Sequence, residues 1–163
     1  MFPDDIQAQA AQVLDRARAQ DLKIAAAESC TGGLVLGALT AIAGSSDVVE
    51  GGLVTYANAA KHRLLGVPES VLAKHGSVSE PTARAMAEGA LTALDADLSV
   101  AITGVAGPGG GSAEKPVGLV HFATAARGGE TIHREMRFGD LGREAVRLAS
   151  VRTALEMLLE RLT

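Results

Sequence analysis

Apolar residues recur along this chain at two spacings, one typical of helices and one typical of strands. Ile6, Ala10 and Val13 lie three or four residues apart, which predicts a first amphipathic helix. Helical spacing, caps and glycine stops predict helices over residues 6–19, 34–43, 58–65, 79–94 and 142–162, with a short one between Pro68 and Gly76. Shorter apolar and β-branched runs predict strands over residues 22–27, 48–56, 98–103, 117–126 and 131–138.

The order of these elements predicts the fold class. Helices interleaved with strands, followed by a hairpin around Arg127-Gly128-Gly129-Glu130, predict a three-layer α/β/α sandwich with a mixed, mostly parallel sheet. The Gly51-Gly52 pair inside the second strand indicates a bulge or a close approach of another backbone. A chain of 163 residues without a recognisable linker is expected to form a single domain over residues 1–163.

Charge and composition exclude some classes of partner. The chain has 15 basic and 19 acidic residues, and this balance disfavours nucleic acid, whose phosphates attract basic proteins. Its four aromatic residues are too scattered for a base-stacking surface. No apolar run approaches the ~20 residues of a membrane span, and the acidic start of the chain differs from a signal peptide, so we expect a cytoplasmic protein without a membrane partner. The sequence does not determine the oligomeric state, and a homo-oligomer is compatible with it.

The metal-ligating residue types are sparse. Cys30 is the one cysteine, so the chain forms no internal disulfide and has no cysteine-based zinc site. The four histidines show no H-x-x-x-H or H-x-H spacing. We therefore expect neither a metal nor another cofactor.

The segment around Ser29 carries the clearest candidate chemistry. A predicted buried strand leads directly into Ser29-Cys30-Thr31-Gly32-Gly33, a turn of small residues that opens a helix. Unpaired N–H groups at a helix start favour a nucleophile or an anion there. Ser29 is accordingly a candidate nucleophile, with a plain helix cap as the alternative. Cys30 is a rival nucleophile, although cysteines are usually buried and we favour a packing role for it.

Two further segments fall at carboxyl ends of predicted strands, where α/β sheets bind ligands. Tyr56 and Lys61 follow the second strand, and Thr103-Gly104 end the third. The alternative for Lys61 is a solvated surface position. Paired with Ser29, it would act as a base only if burial lowered its pKa from about 10.4 toward neutrality.

Two candidate anion-binding features complete the pattern. The glycine-dense loop over residues 104–111 departs from phosphate-loop motifs, and it is either a cradle of backbone amides or a mobile connection. Arg143 and Arg147 lie one helical turn apart. They either present two guanidinium groups to a phosphate or form a solvated face paired with Glu144 and Asp140.

These segments together resemble the C-terminal domain of the competence/damage-inducible protein CinA, a family also known as nicotinamide-nucleotide amidohydrolases. The resemblance runs from about Leu22 to the end and rests on the strings A-E-S-C-T-G-G, T-Y-A-N-A-A-K, H-G-S-V-S-E and T-G-V-A-G-P-G-G-G-S-A-E-K-P-V-G. It implies a three-layer α/β/α fold. It also implies hydrolysis of nicotinamide mononucleotide to nicotinic acid mononucleotide and ammonia, without a metal.

The resemblance also implies roles for individual residues. Ser29 matches the nucleophile, Lys61 the general base and Tyr56 a polar support of that pair. Thr103 and Gly104 match part of the substrate pocket. Arg143 matches the substrate-binding arginine. The family commonly has G-D-R where this chain has Gly139-Asp140-Leu141-Gly142-Arg143, two residues longer, so Arg147 is the substitute for this role.

In the expected mechanism, N–H groups near Thr31 and Gly32 receive the oxyanion. Two other classes of function remain as alternatives. The first is a non-catalytic nucleotide-binding or regulatory module, because many family members are fused to a further domain. The second is an accessory of DNA uptake or repair, suggested by the family's name and disfavoured by the acidic charge.

Overall fold

The computed structural model describes the whole chain, Met1–Thr163. The helices are α1 Asp4–Ala19, α2 Leu34–Thr40, α3 Asn58–Leu65, α4 Glu69–His75, α5 Glu80–Ala93 and α6 Arg143–Arg161, with a 3-10 turn at Ser45–Asp47. The strands are β1 Ile24–Glu28, β2 Val49–Val54, β3 Leu98–Gly104, β4 Leu119–Ala126 and β5 Ile132–Arg137. None of the helices combines the length and the apolarity that crossing a membrane requires.

The five strands form one mixed sheet in the order β2-β1-β3-β4-β5. β1 pairs in parallel with β2 and β3, whereas β4 is antiparallel to both β3 and β5. Four strands therefore run in one direction and β4 runs against them. Helical crossovers connect the parallel strands and a short turn connects the antiparallel hairpin. The predicted α/β class and mixed sheet are confirmed.

Helices cover both faces of the sheet. On one face α1, α2 and α6 pack over the larger apolar core, to which the strands contribute Ile24, Val100 and Phe122. On the other face α5 lies closest, and the strand positions there are small, such as Ala101 and Ala123. Small side chains at these positions allow α5 to pack closely on the sheet.

The second strand carries the irregularity that its glycine pair predicts. Ile24 pairs with Val49 but Ala25 pairs with Gly51, which leaves Glu50 as the extra residue of a bulge. A Cβ atom added at Gly52 would lie 2.9 Å from the Leu36 side chain, so α2 packs closely over this strand. The bulge is therefore confirmed, whereas the nearest neighbour of Gly52 is a side chain and not another backbone.

The largest boundary difference concerns α2, which spans Leu34–Thr40 instead of residues 34–43. Gly44 has a φ of 83°, and the segment before the second strand turns through Ser45–Asp47. The apolar spacing typical of a helix continues past Thr40, but the chain bends there to reach the edge of the sheet. The predicted helix is therefore about one turn too long.

Candidate active site

The register of the parallel strands brings three chain segments to one edge of the sheet. Glu28, the last residue of β1, pairs with Val54 on one side and with Ile102 on the other. The residues that follow these three positions are Ser29, Thr55 and Thr103, so they emerge next to one another. This edge is where a site shared by three loops was predicted.

Ser29 lies in the bend after β1 and its side chain is almost fully buried. Its backbone N–H donates to the carbonyl of Ile102 at 3.0 Å, which anchors it to β3. α2 starts only at Leu34 and its N-cap is Gly33, with a φ of 103°. Ser29 is therefore not the cap of this helix, and its hydroxyl is free for another partner.

The capping role belongs to Glu28, which sequence reasoning missed. Its carboxylate is 1% exposed and accepts hydrogen bonds from the N–H groups of Gly33, Val35 and Leu36 at 3.1, 3.2 and 2.9 Å. A carboxylate at a helix start complements both the unpaired N–H groups and the helix dipole. Glu28 thus folds the turn back onto the end of its own strand and sets the position of Ser29.

Lys61, in the second turn of α3, reaches this bend from below the surface. Its side chain is fully buried, and Nζ lies 2.9 Å from Ser29 Oγ, 2.6 Å from the Thr55 carbonyl oxygen and 3.2 Å from the Tyr56 carbonyl oxygen. Lys61 is not one of the cations that form ion pairs in this chain. The alternative of a solvated surface lysine is therefore wrong.

Burial determines the protonation chemistry of this amine. Because the charged form loses its hydration, the pKa of Lys61 falls from 10.5 to about 8. A neutral amine has two N–H groups and one lone pair. The two backbone carbonyls accept the N–H groups, which leaves the lone pair for the Ser29 hydroxyl. The same three contacts also suit the ammonium, which donates to all three oxygens. The site therefore accommodates Lys61 both before and after it takes a proton from serine.

Cys30 is a poor competitor for the nucleophilic role. Its side chain is 6% exposed and belongs to the larger apolar core. Burial raises the pKa of the Cys30 thiol to about 11, so the reactive thiolate is rare near neutral pH. This environment supports the packing role that we favoured for it.

A cavity of about 170 Å³ opens beside Ser29. It is lined by residues of five chain segments: Ser29, Cys30, Tyr56, Ser77, Val78, Thr103, Gly104, Ala106 and Arg143. Thr103 Oγ1 donates to the Ser77 carbonyl at 2.7 Å and so ties the start of α5 to the end of β3. Ser77 and Val78 lie within the H-G-S-V-S-E string of the family resemblance, but no local pattern marked them as pocket residues.

The side chain of Tyr56 does not support the serine and lysine in the way that we expected. Its ring is 63% exposed, and its hydroxyl oxygen accepts a hydrogen bond from Arg143 Nη2 at 3.2 Å. The contact of this residue with Lys61 is made by the backbone carbonyl. Tyr56 instead lines the cavity as an exposed side chain that contacts Arg143.

The two candidate arginines occupy different places. Arg143 is exposed, lines the cavity and donates to the Gly107 carbonyl of the glycine loop at 2.7 Å. Arg147 lies one turn further along α6 and donates to the carbonyls of Cys30 and Thr31 at 3.1 and 3.3 Å. Neither arginine forms an ion pair, so the alternative of a face neutralised by acidic neighbours is wrong.

The backbone N–H groups of the turn differ from expectation by one residue. Gly32 N–H already donates to the Ser29 carbonyl at 3.0 Å. The N–H groups of Cys30 and Thr31 donate to no other residue of the chain. The unpaired donors beside Ser29 are therefore those of Cys30, which lines the cavity, and of the fully buried Thr31, not the expected pair of Thr31 and Gly32.

Two histidines that do not line this cavity come together on β4 and β5, where His121 pairs in register with Thr103 of β3. His121 Nδ1 lies 2.9 Å from His133 Nε2 and the rings stack, while burial lowers the pKa of both imidazoles. Nothing in the sequence spacing indicated this pair. No group of three or more His, Cys, Asp and Glu side chains in the chain is arranged to hold a metal ion.

Residues 6–162 match the sequence profile described as the CinA C-terminal domain. This chain belongs to the CinA C-terminal domain family. The CinA fold seen here is similar to the crystal structure of the competence/damage inducible protein CihA from Agrobacterium tumefaciens, with a TM-score of 0.97 and 57% identity over 98% of this chain and 97% of that one. It is also similar to a competence-damaged protein (CinA) superfamily structure from Escherichia coli, with a TM-score of 0.91 and 36% identity over 99% and 94% of the two chains.

Curated relatives of this CinA domain are longer proteins. A CinA-like protein from Synechococcus sp. (strain RCC307) is 53% identical over 158 residues, which cover 96% of this chain and 38% of that protein. A CinA-like protein from Akkermansia muciniphila is 54% identical over 141 residues, covering 86% and 34% of the two. The chain therefore spans about a third of the length of the curated relatives that it matches.

Proposed function

We propose that this CinA domain hydrolyses the carboxamide of nicotinamide mononucleotide, giving nicotinic acid mononucleotide and ammonia through an acyl-serine intermediate. The observation that carries the proposal is the 2.9 Å contact between Ser29 Oγ and Lys61 Nζ, made by an amine that is fully buried and has no carboxylate partner. Lone serines and lysines are common, but a buried pair of this kind has a clear chemical use. The serine–lysine variant of the catalytic triad uses such a pair, which supports the proposal.

The first half of the reaction forms the acyl-enzyme. Neutral Lys61 accepts the Ser29 proton as Oγ bonds to the carboxamide carbon, and the carbonyl oxygen becomes an oxyanion near the free N–H groups of Cys30 and Thr31. The resulting ammonium retains three hydrogen-bond acceptors, namely Oγ and the carbonyls of residues 55 and 56. Lys61 then gives a proton to the departing nitrogen as the C–N bond breaks, releasing ammonia.

The second half of the reaction restores the enzyme. Neutral Lys61 accepts a proton from water as the water oxygen bonds to the acyl carbon, and the same N–H groups stabilise the second oxyanion. The C–Oγ bond breaks, Ser29 recovers the proton from Lys61, and nicotinic acid mononucleotide leaves. The proton transfers between Ser29 and Lys61 cross the 2.9 Å contact between Oγ and Nζ.

Three features support a pyridine nucleotide as the substrate. The cavity of about 170 Å³ is smaller than the roughly 300–1,000 Å³ of typical ligand pockets, so it suits the pyridine ring and leaves the ribose phosphate at its mouth. Arg143 stands at that mouth as a cation without an acidic partner. The N–H groups of Gly109, Gly110 and Gly111 donate to no group of the chain and are exposed, as a cradle for a phosphate requires.

The test is ammonia release from nicotinamide mononucleotide by the purified chain, with and without a chelator. We expect metal-independent turnover and a loss of at least about 10³-fold in Ser29→Ala, with nucleotide binding retained. Cys30→Ala is the matched control, because it changes the neighbouring residue without removing the nucleophile, and it should keep most of the activity. Normal turnover in Ser29→Ala would show that the nucleophile is misassigned. Tight binding without ammonia release by the unmodified chain would instead favour a non-catalytic nucleotide-binding module.

A further inference from the structure

The guanidinium of Arg147 is bound to the turn that carries Ser29, not to the cavity. Nε donates to the Cys30 carbonyl and Nη2 to the Thr31 carbonyl, at 3.1 and 3.3 Å across 117 and 116 residues of sequence. Gly32 makes room for this contact, because a Cβ atom there would lie 3.1 Å from Arg147 Nη2. The φ of +58° at Gly32 is also one that a residue with a side chain rarely adopts. The turn is therefore shaped around the guanidinium.

The turn is held from two sides with opposite charges. The Glu28 carboxylate accepts the N–H groups of Gly33, Val35 and Leu36, while Arg147 donates to the carbonyls of Cys30 and Thr31. These contacts fix the peptide planes between them. The N–H groups of Cys30 and Thr31, which no other residue uses, are thereby kept in one orientation before any ligand arrives.

One of these contacts also acts through the peptide bond itself. The Cys30 carbonyl and the Thr31 N–H belong to the same peptide group, so a cation that donates to that oxygen draws electron density away from that nitrogen. Hydrogen bonds in such a chain strengthen one another. Thr31 N–H becomes a stronger donor toward an oxyanion than it would be without Arg147.

We propose that Arg147 is a positioning residue that orients the N–H groups of Cys30 and Thr31, and polarises that of Thr31, for the oxyanion formed at Ser29. The proposal rests on the proposed amide hydrolysis. It gives Arg147 a role other than phosphate binding, which the sequence allowed for either Arg143 or Arg147. It distinguishes the two by place: Arg143 lines the cavity beside Ser29, whereas Arg147 lines a different cavity of about 550 Å³ behind the turn, together with Phe2 and Leu34.

The decisive variant is Arg147→Ala, measured with and without added guanidinium. The cavity behind the turn gives a small cation a route to the vacated position. Loss of an oxyanion donor itself costs about 10²–10³ in kcat, so loss of its support should cost about 10- to 100-fold, with an unchanged KM. Guanidinium should restore part of kcat, and ammonium should not, because two carbonyls must be bonded by one planar cation.

The matched control is Arg161→Ala. Arg161 is also on α6 and also donates to a backbone carbonyl, that of Glu130 at 2.9 Å, but far from the site. We expect its loss to lower Tm without changing kcat. An Arg147→Ala variant with raised KM and intact kcat would assign Arg147 to phosphate binding and overturn the proposal. A loss of kcat that guanidinium does not restore would show a merely structural role and would also overturn it.

A second readout separates this proposal from the proposed substrate. The Oγ of an activated serine bonds to the phosphorus of a fluorophosphonate as the P–F bond breaks, fluoride leaves and the base takes the serine proton. The phosphoryl oxygen then lies where an oxyanion forms, without any need for a nucleotide. Ser29 should be labelled in the unmodified chain and about 10- to 100-fold more slowly in Arg147→Ala. Labelling without ammonia release from the nucleotide would contradict the substrate and keep the Arg147 proposal. Equal labelling of both proteins would overturn the Arg147 proposal, and no labelling of either would overturn both.

Discussion

Lys61→Met tests the buried amine through stability as well as activity. Methionine has a similar length but no proton to bind. In the folded chain the pKa of Lys61 is about 8, whereas the usual value is 10.5, so between these values the unfolded chain binds a proton that the folded chain does not. Below pH 8 both states are protonated and the cost of burying the ammonium is fully present. That cost disappears as the pH rises through 10.5.

The magnitude follows from the same two values. At about 1.4 kcal/mol per pH unit, a fall from 10.5 to about 8 corresponds to roughly 3 kcal/mol. The free energy of unfolding of the unmodified chain, relative to that of Lys61→Met, should therefore rise by roughly 3 kcal/mol between about pH 7 and pH 10.5. The other titrating groups are common to both proteins and cancel in this difference.

The assay is urea unfolding of both proteins, followed by circular dichroism, at several pH values across this range. Parallel stability curves would refute the argument, because they would mean that Lys61 binds its proton equally in both states. The same amine should control the rate. We expect kcat/KM to rise about tenfold per pH unit up to an inflection near pH 8, and an inflection above pH 10 would contradict a depressed pKa.

Two further substitutions test the frame of the site. Glu28→Gln keeps the side-chain volume but replaces one oxygen that accepts from the N–H groups at the start of α2 with an N–H donor. We expect the free energy of unfolding to fall by about 2–3 kcal/mol and the activity to decrease, as measured by thermal unfolding and turnover. Unchanged stability and activity would contradict the capping role. Gly104→Ala would place a Cβ atom 2.8 Å from the Leu119 carbonyl oxygen. Because this contact would push β3 away from β4, we expect the free energy of unfolding to fall by about 1–3 kcal/mol. Gly109→Ala, with nothing within 4 Å of the added atom, is its control, and equal Tm values for the two would reject the close contact.

The positions and types of the helices and strands follow from local patterns. Apolar spacing depends on which face of an element is covered, and that information is present within ten to twenty residues. The errors lie at the ends of elements. α2 begins where Gly33 and the Glu28 carboxylate allow it and stops at Thr40, because the chain must bend toward β2. Such limits come from neighbouring elements, which the local pattern does not contain.

For the candidate site too, local patterns predict the segments that take part but not the contacts between distant residues. Short motifs around Ser29, Lys61 and Thr103 identify the segments that the sheet brings to one edge, because parallel strands of similar length end together. The role of Tyr56 was wrong in its detail, since the backbone carbonyl and not the phenol contacts Lys61. Arg147 reaches the turn from more than a hundred residues away, and no local spacing indicates such a contact.

The amino-acid sequence by itself therefore determines the layered α/β architecture and the identity of the chemical groups at the edge of the sheet. The tertiary structure alone decides what those groups can do. A lysine is a weak base catalyst in water because it is almost fully protonated there. The exclusion of water by residues distant in sequence lowers the pKa of Lys61 to about 8, so a larger fraction of this side chain is the neutral amine. Protonation state depends on the surroundings in space, and spacing along the chain does not specify those surroundings.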